Sequence, residues 1–540
     1  MKNIFATLIM ILSTQAFALV DMQNANFTET WVDLEIPDTG YNLKVERSYN
    51  SRTLHNGLFG FGWCSNFETS LEILADGRVK RVECGAGQEI TYAPKSFDQG
   101  DVQAGIQKII AGIKKENTKI SAREIQILTQ KLKEDTGYRD REAARLGVQK
   151  EAKDGTVFYS EGTNTDKVVL KKGFYVRDLA DGSSERFNTE GQLVYLYDKN
   201  QNYLKLDYNK KTLTSMTTSS GRRLSFDYTQ NGKIKQIRGP NGLNCEYEYE
   251  KLNDLISAKN GKSEVTKYSY DTLHNVTKIT YADKSTKGLK YNQDKDWVTE
   301  LTDRNSCSEK YDYTLSKEDP KNHYWSTVEK KCDGKIVNKS RYGFWFKPRS
   351  NGSGVFLTKL HIDNNGVKSD IEYHNIFEKP TSIKKDKELT QYSYYPNGLL
   401  KTKKVNSQVI NFKYNNQNKV AEVSEGKGST KFTYDKLGNL TFASNSSGQN
   451  VKLEYDVKGR IVKIFDQAKR LINIEYDERF GKPKTVERPG VGKIFVSYNA
   501  EGVITKVDSK NDDPTVAVQV ASAFNNLVEI ITPAGVNIGL

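Results

Sequence analysis

The chain has 540 residues, far more than one ordinary domain needs, and a formal charge of +13. Tyr (30) outnumbers Phe (22) and proline is scarce at 11, which suits sheets with one wetted face and excludes a thick apolar core or a membrane bundle. The basic residues are spread along the chain with no dense block, so no specific nucleic-acid partner is expected; they read first as solvent-facing strand positions and second as attraction to anionic surfaces.

In chain order, residues 1–18 read as a signal peptide. Lys2 precedes the apolar run Ile4 to Leu12 and then Ala16-Phe17-Ala18, an A-x-A site that places cleavage after Ala18. No later stretch is apolar for long enough to span a bilayer. The expected location is outside the cytoplasm: periplasm, cell surface or extracellular medium. Residues 19–98 are β-rich, because Val32, Leu34 and Ile36 alternate with polar residues, as do Tyr41, Leu43 and Val45. Asp76-Gly77 marks a hairpin turn. Residues 99–154 change period. Ile106, Ile109, Ile110 and Ile113 have helical spacing, and Ser121-Ala-Arg-Glu124 is a capping box. This helical insertion reads as a cap over the first sheet edge, with a functional element as the alternative.

Residues 155–313 hold a first block of repeats and residues 373–510 a second. In the second block Lys431-Phe-Thr-Tyr-Asp-Lys-Leu-Gly-Asn-Leu440 is followed by Lys452-Leu-Glu-Tyr-Asp-Val-Lys-Gly-Arg-Ile461 and Asn473-Ile-Glu-Tyr-Asp-Glu-Arg-Phe-Gly481. Tyr434, Asp435 and Gly438 recur as Tyr455, Asp456 and Gly459, then as Tyr476, Asp477 and Gly481, where the glycine comes one residue later. Tyrosines 394, 414, 434, 455, 476 and 498 stand 20 to 22 residues apart; Phe187 and tyrosines 208, 228, 249, 270, 291 and 313 keep the same interval. A period held this closely signals an array of structural units. Each unit reads as one hairpin: the tyrosine ends a strand, the aspartate starts a turn with its own backbone, and the glycine takes the left-handed position. Apolar residues after the glycine sit three apart, as in Val420 and Val423 or Ile461 and Ile464, which implies a bulge. One hairpin cannot bury its own face, but a stack can.

Between the blocks, residues 314–372 lose the rhythm and carry Tyr324, Trp325, Tyr342 and Trp345. Buried, these rings form a wide core layer at a seam; exposed, they form a sugar-stacking or protein-docking patch, and they are the candidate binding residues. Residues 511–540 read as a C-terminal cap. Of five cysteines, Cys64 with Cys84 and Cys307 with Cys332 are the candidate disulfides of an oxidising compartment, leaving Cys245 as a buried thiol.

The Tyr-Asp-x-x-Gly-x-Leu unit at this period resembles the YD repeat of Rhs proteins, teneurins and the shell subunits of insecticidal toxin complexes. The run Arg47-Ser-Tyr-Asn-Ser-Arg52 through Phe59-Gly-Phe-Gly-Trp63 is similar to the segment that precedes the repeats in bacterial Rhs proteins. The resemblance implies a mainly β fold, a long spiralling antiparallel sheet forming a partial shell or barrel. It also implies enclosure of a toxic segment released by self-cleavage. The sequence departs there: Asp513-Pro514 lacks the glycine and leucine of the cleavage motif, and no toxin-like domain follows the repeats.

No catalytic constellation stands out. None of His55, His274, His323, His361 and His374 pairs with another at metal-ligand spacing, and HExxH, GxSxG and CxxC are absent from the sequence. No metal, cofactor or enzymatic activity is expected. The expected function is an exported, non-enzymatic scaffold that binds carbohydrate, the cell envelope or another exported protein. The alternative is an encapsulating shell component of a toxin-delivery system, with cargo from another chain.

Overall fold

A computed structural model describes residues 19–83, 89–160, 166–348, 355–467, 470–500 and 502–509, with the isolated residue 518. The signal-peptide reading and most of the C-terminal cap lie outside these residues. A small sheet comes first, its strands Leu19–Asp21, Asn26–Ile36, Leu43–Asn50 and Trp63–Ser65 paired in that order. Apart from a two-stranded ribbon of Asn56–Gly57 and Gly60–Phe61, the rest of the described β structure is one antiparallel sheet of 36 strands, from Ser70–Ile73 to Ile504–Ser509. Its strands pair with their neighbours in sequence, mostly through tight turns; the connection from Glu89–Pro94 to Val157–Ser160 holds the helical insertion. Among the described residues, the last strand pairs with Gly492–Tyr498 alone. The first strand instead meets the array near its start: Ser70 bridges Gln192, and Leu71 N–H donates to the Gly191 carbonyl at 2.8 Å. The sheet therefore does not close into a barrel through its two end strands.

The repeat unit follows from its residues. In Gly428–Tyr434 and Leu440–Asn445, Phe432 faces Ala443 and Tyr434 faces Leu440, with a register shift between Thr433 and Tyr434. Two residues on one strand thus span three on the other, which accounts for the three-residue spacing of the apolar positions. Asp435 Oδ1 accepts the N–H groups of Leu437 and Asn439, both at 2.9 Å, and Gly438 N–H donates to the Asp435 carbonyl at 3.1 Å. Gly438 sits at φ 81°. The same left-handed position is held by Asn253, His274 and Asn418 in other units. Asparagine tolerates this region better than most side chains.

The tyrosine has a role that its hydrophobicity does not reveal. In twelve units its hydroxyl donates to a carbonyl 14 or 15 residues upstream, at 2.5–3.0 Å. The acceptor is the residue that faces the preceding tyrosine: Tyr434 faces Leu440, and Tyr455 donates to the Leu440 carbonyl. A bulge interrupts the ladder at that point. The next tyrosine supplies a donor there and ties one hairpin to the next.

Residues 314–372 are not a break in the sheet. The rhythm fails because strands lengthen, to 10 residues in His323–Cys332, 14 in Lys335–Pro348 and 10 in Val355–Asn364, while the ladder continues. Three helices interrupt the chain earlier: α1 (Gln99–Glu116), α2 (Ala122–Glu134) and α3 (Thr136–Leu146). Ser121 and Glu124 cap α2 reciprocally. Asp98 caps α1, accepting from Gly100 N–H and Asp101 N–H. Ile106, Ile109, Ile110 and Leu132 bury against Ala75, and Arg139 lies 3.9 Å from Asp76. The insertion thus sits on the hairpin that begins the long sheet.

Two cores result. The first-block face packs against the small sheet in one cluster that joins Phe27, Leu43, Tyr49 and Trp63 to Leu206, Ile237 and Val298. The second block has its own cluster of array residues alone, among them Phe412, Val423, Leu453 and Ile464. The two blocks touch along their turns. Asn202 Nδ2 donates to the Lys458 carbonyl at 3.0 Å, Asn439 Nδ2 to Asn200 Oδ1 at 3.0 Å, and Lys419 Nζ to the Ala180 carbonyl at 3.0 Å. Arg222 reaches the Arg479 carbonyl. These partners are 239 to 257 residues apart. The sheet therefore winds back onto itself after roughly a dozen repeats, as a solenoid with a small rotation per unit does.

Candidate functional site

The most elaborate polar site lies where the small sheet crosses the array. A bulge between Val32 and Leu34 redirects Asp33. Its carboxylate accepts from Arg47 Nε at 2.6 Å, Arg47 Nη2 at 3.1 Å and the Tyr247 hydroxyl at 2.8 Å. Arg47 is buried, and its guanidinium stands 4.7 Å from the Trp63 ring centroid, 5.2 Å from Trp31 and 5.4 Å from Tyr268. Burial alone would lower its pKa, but the Asp33 carboxylate overrides that and raises it, so the arginine stays charged. Glu29 with Lys287 at 2.8 Å makes a second buried cross-link between the two sheets. The Asp33–Tyr247 and Glu29–Lys287 contacts join residues 214 and 258 positions apart. They fix how the small sheet seats; Arg47 spends Nε and Nη2 on Asp33, while its buried Nη1 has no hydrogen-bond partner.

Cys245 is a buried free thiol pointing at the Asp33 carbonyl, 3.6 Å away. Burial, with Asp33 adding to it, pushes its pKa up to about 12, so it is unreactive. Cys307 and Cys332 form a disulfide, with Cα atoms 4.4 Å apart. Cys64 is also disulfide-bonded; Cys84, its expected partner, lies outside the described residues. His55, Cys64 and Glu68 bring one ligand atom each within 4.8 Å of one another. With the Cys64 sulfur held in a disulfide, two donors remain, too few for a closed metal site.

The four aromatic candidates do not share one surface. Side chains alternate along a strand, and the register sets Tyr324 opposite Phe344 and Trp325 opposite Gly343. Tyr324 and Tyr342 lie on the core side with Phe344, and the Tyr324 hydroxyl donates to the Gln23 carbonyl. Trp325 and Trp345 lie on the opposite face, their centroids 5.2 Å apart, over Gly343, where an added Cβ would come within 2.4 Å of Trp325. His323 stacks on Trp345 at 4.4 Å and Arg341 covers Trp325 at 4.1 Å. Burial lowers the His323 pKa, which favours the neutral ring. These two indoles shield a glycine and are themselves shielded, a packing device for a bare stretch of sheet.

A cleft of about 1090 Å³ lies elsewhere, between the helical insertion and the first repeats. Phe174, Tyr195 and Lys205 line one wall, with Ile73, Ala143 and Val148 opposite. The sequence reading missed it, although Tyr195, which lines it, stands two residues from Tyr197, positions that the period-2 rule places on one face. Among the described residues, no helix is long and apolar enough to cross a membrane.

A continuous ladder of hairpins, many of them bulged and twelve tied to the unit before by a tyrosine hydroxyl, defines a YD-repeat spiral sheet. The chain belongs to the Teneurin YD-shell family, which matches residues 179–538. A domain of unknown function matches residues 18–92. No curated protein matches the chain. Among solved structures, the chain is similar to TcdB2-TccC3-TEV at 11% identity and TM-score 0.38, covering 94% of this chain and 31% of that one. It is similar to TcdB2-TccC3 without the hypervariable C-terminal region at 9% identity and TM-score 0.36, covering 95% and 32%. A porin-like protein from Bacteroides uniformis matches at 12% identity and TM-score 0.13, covering 52% and 92%. The chain thus spans about a third of the length of the two TcdB2-TccC3 chains.

Proposed function

We propose that this chain is an exported, non-catalytic wall segment that winds around a polypeptide supplied by another chain. The observation that carries this reading is the contact between windings, made by residues 239 to 257 positions apart. A sheet that returns onto itself makes a wall, whereas an open ribbon does not. Membership of a YD-shell family supports the same reading. The Cys307–Cys332 disulfide fits an oxidising compartment outside the cytoplasm. Aspartates 435, 456 and 477 each accept backbone N–H groups of their own turns, a structural duty that leaves no paired carboxylates for acid–base chemistry there.

Native mass spectrometry of the protein purified from its own host tests the proposal. The expected result is a mass above that of the single chain, resolving on denaturation into this chain and a second polypeptide. A mass that accounts for this chain alone would overturn enclosure and leave a free-standing scaffold.

A further inference from the structure

The polar face of the array changes character at its start. Along most strands this face carries Lys, Glu, Thr and Ser, but in the first repeats it becomes a plate of rings. The register aligns Val176, Arg186, Tyr195 and Lys205 in one row and Ser184, Tyr197 and Tyr203 in the next. Tyr195 and Tyr197 stack with centroids 5.4 Å apart at 29°, and Tyr203 meets their edges at 5.9 and 5.8 Å. The Arg186 guanidinium lies 4.1 Å from the Tyr197 centroid, and its Nε is buried without a hydrogen-bond partner. All three tyrosines remain partly open to solvent.

The helical insertion faces the Tyr195–Lys205 end of this plate across a cleft. Ala143 and Ala144 of α3, with Gly147 and Val148 after it, form the far wall of the cleft, so small side chains face the rings across the gap. The floor is fixed in place by a close approach: Gly191 meets Leu71 so tightly that an added Cβ would fall 1.8 Å from the Leu71 carbonyl oxygen. The geometry is therefore a preformed slot with an aromatic wall, of the size that small-ligand sites have.

The charges decide the ligand class. Lys205, Lys210 and Lys211 line the slot, and so do Glu72, Glu190 and Asp207. Lys205 Nζ pairs with Asp207 Oδ1 at 2.6 Å. Three cations face three carboxylates, one of which, Glu72, is also held by Lys80 at 2.8 Å, so the slot is of mixed sign and carries little of the chain's overall charge of +13. A ligand rich in hydroxyls uses both signs, because each hydroxyl donates to a carboxylate and accepts from an ammonium. Tyrosine rings offer flat apolar contact to the C–H face of a pyranose while their hydroxyls stay wet.

We propose that this slot binds a neutral oligosaccharide, with Tyr195 as the stacking platform and Lys205 and Asp207 as hydrogen-bonding partners. The site is independent of enclosure, since it lies on the face opposite the core, and it differs from the Trp325–Trp345 pair, whose rings pack against His323 and Arg341.

Calorimetric titration of the full chain with cellohexaose, maltohexaose and chitohexaose, against hexagalacturonate as the acidic counterpart, tests this. At least one neutral hexasaccharide should bind. Its affinity should fall about tenfold or more in Tyr195→Ala, as expected when a stacking ring is lost. It should hold within about twofold in Tyr195→Phe, which keeps the ring, and be unchanged in Trp325→Ala. Lys205→Met, which removes hydrogen bonding but keeps the stem, should also weaken binding, and thermal melting of each variant separates lost binding from lost folding. Failure of all three neutral sugars to bind, tighter binding of the acidic one, or undiminished binding by a folded Tyr195→Ala chain would each overturn the proposal.

Discussion

Each tyrosine of the array presents a hydroxyl that phenylalanine lacks, and the structure uses it twelve times in the same way. Tyr455→Phe keeps the ring and deletes only the bond to the Leu440 carbonyl. It should cost about 1 kcal/mol in urea unfolding, the usual net worth of such a bond; an unchanged midpoint would show that water satisfies the carbonyl as well. The same hydroxyls set a response to alkali. Burial raises the pKa of Tyr434 and Tyr476 to about 12, from an ordinary 10. A group whose pKa is higher folded than unfolded contributes stability that is fully present below pH 10 and is lost as pH rises towards 12. A melting temperature that is level up to about pH 10 and falls steeply above it is therefore expected. The tyrosine period was plain in the sequence, and so was the aspartate's turn. The hydroxyl bond was not, because its acceptor lies in a neighbouring unit and becomes available only when the bulge interrupts the ladder.

At the scale of elements, the hairpin turns do two jobs. Some only reverse the chain: Gly448, at φ 88°, has nothing within 4 Å of an added Cβ. Others hold the two windings together: Gly459, at φ 80°, would drive its Cβ to within 1.9 Å of Asn200. Alanine at either position incurs the left-handed backbone cost of roughly 1–2 kcal/mol. Only Gly459→Ala should also disturb the seam, so it should destabilise more than Gly448→Ala and speed amide exchange around Asn200 and Asn202. Equal losses would mean that the seam contributes nothing to stability. Both glycines read alike in sequence as turn residues, because the distinction depends on what stands opposite them one winding away. The loss of rhythm over residues 314–372 shows the same limit. The period fails there as expected, but lengthened strands and a break in the sheet leave similar traces in a sequence. The alternation of strand side chains then splits the four aromatic candidates between two faces.

For the whole molecule, the two blocks differ in what supports them. The first depends on the small N-terminal sheet, pinned by Arg47 and Asp33, while the second buries residues of its own repeats. Arg47→Ala leaves the Asp33 carboxylate buried without its cation, which costs about 3–5 kcal/mol. That loss should fall on the first block, splitting thermal unfolding into an early step and a late one; a single shifted transition would mean that the blocks fold as one unit.

The sequence by itself determined the local rules of this protein. Two strands per period, an aspartate-capped turn, a left-handed fourth position, a bulge and a helical insertion all follow from residues within about 20 positions of one another. Local rules repeated many times dictate a single antiparallel ladder. Tertiary structure decided the rest. The small rotation per hairpin accumulates until units 239 to 257 residues apart meet, a separation that no local pattern in the sequence marks. The same winding chooses which face the N-terminal sheet covers, which aromatic rings are spent on packing, and where the helices leave a slot beside Tyr195.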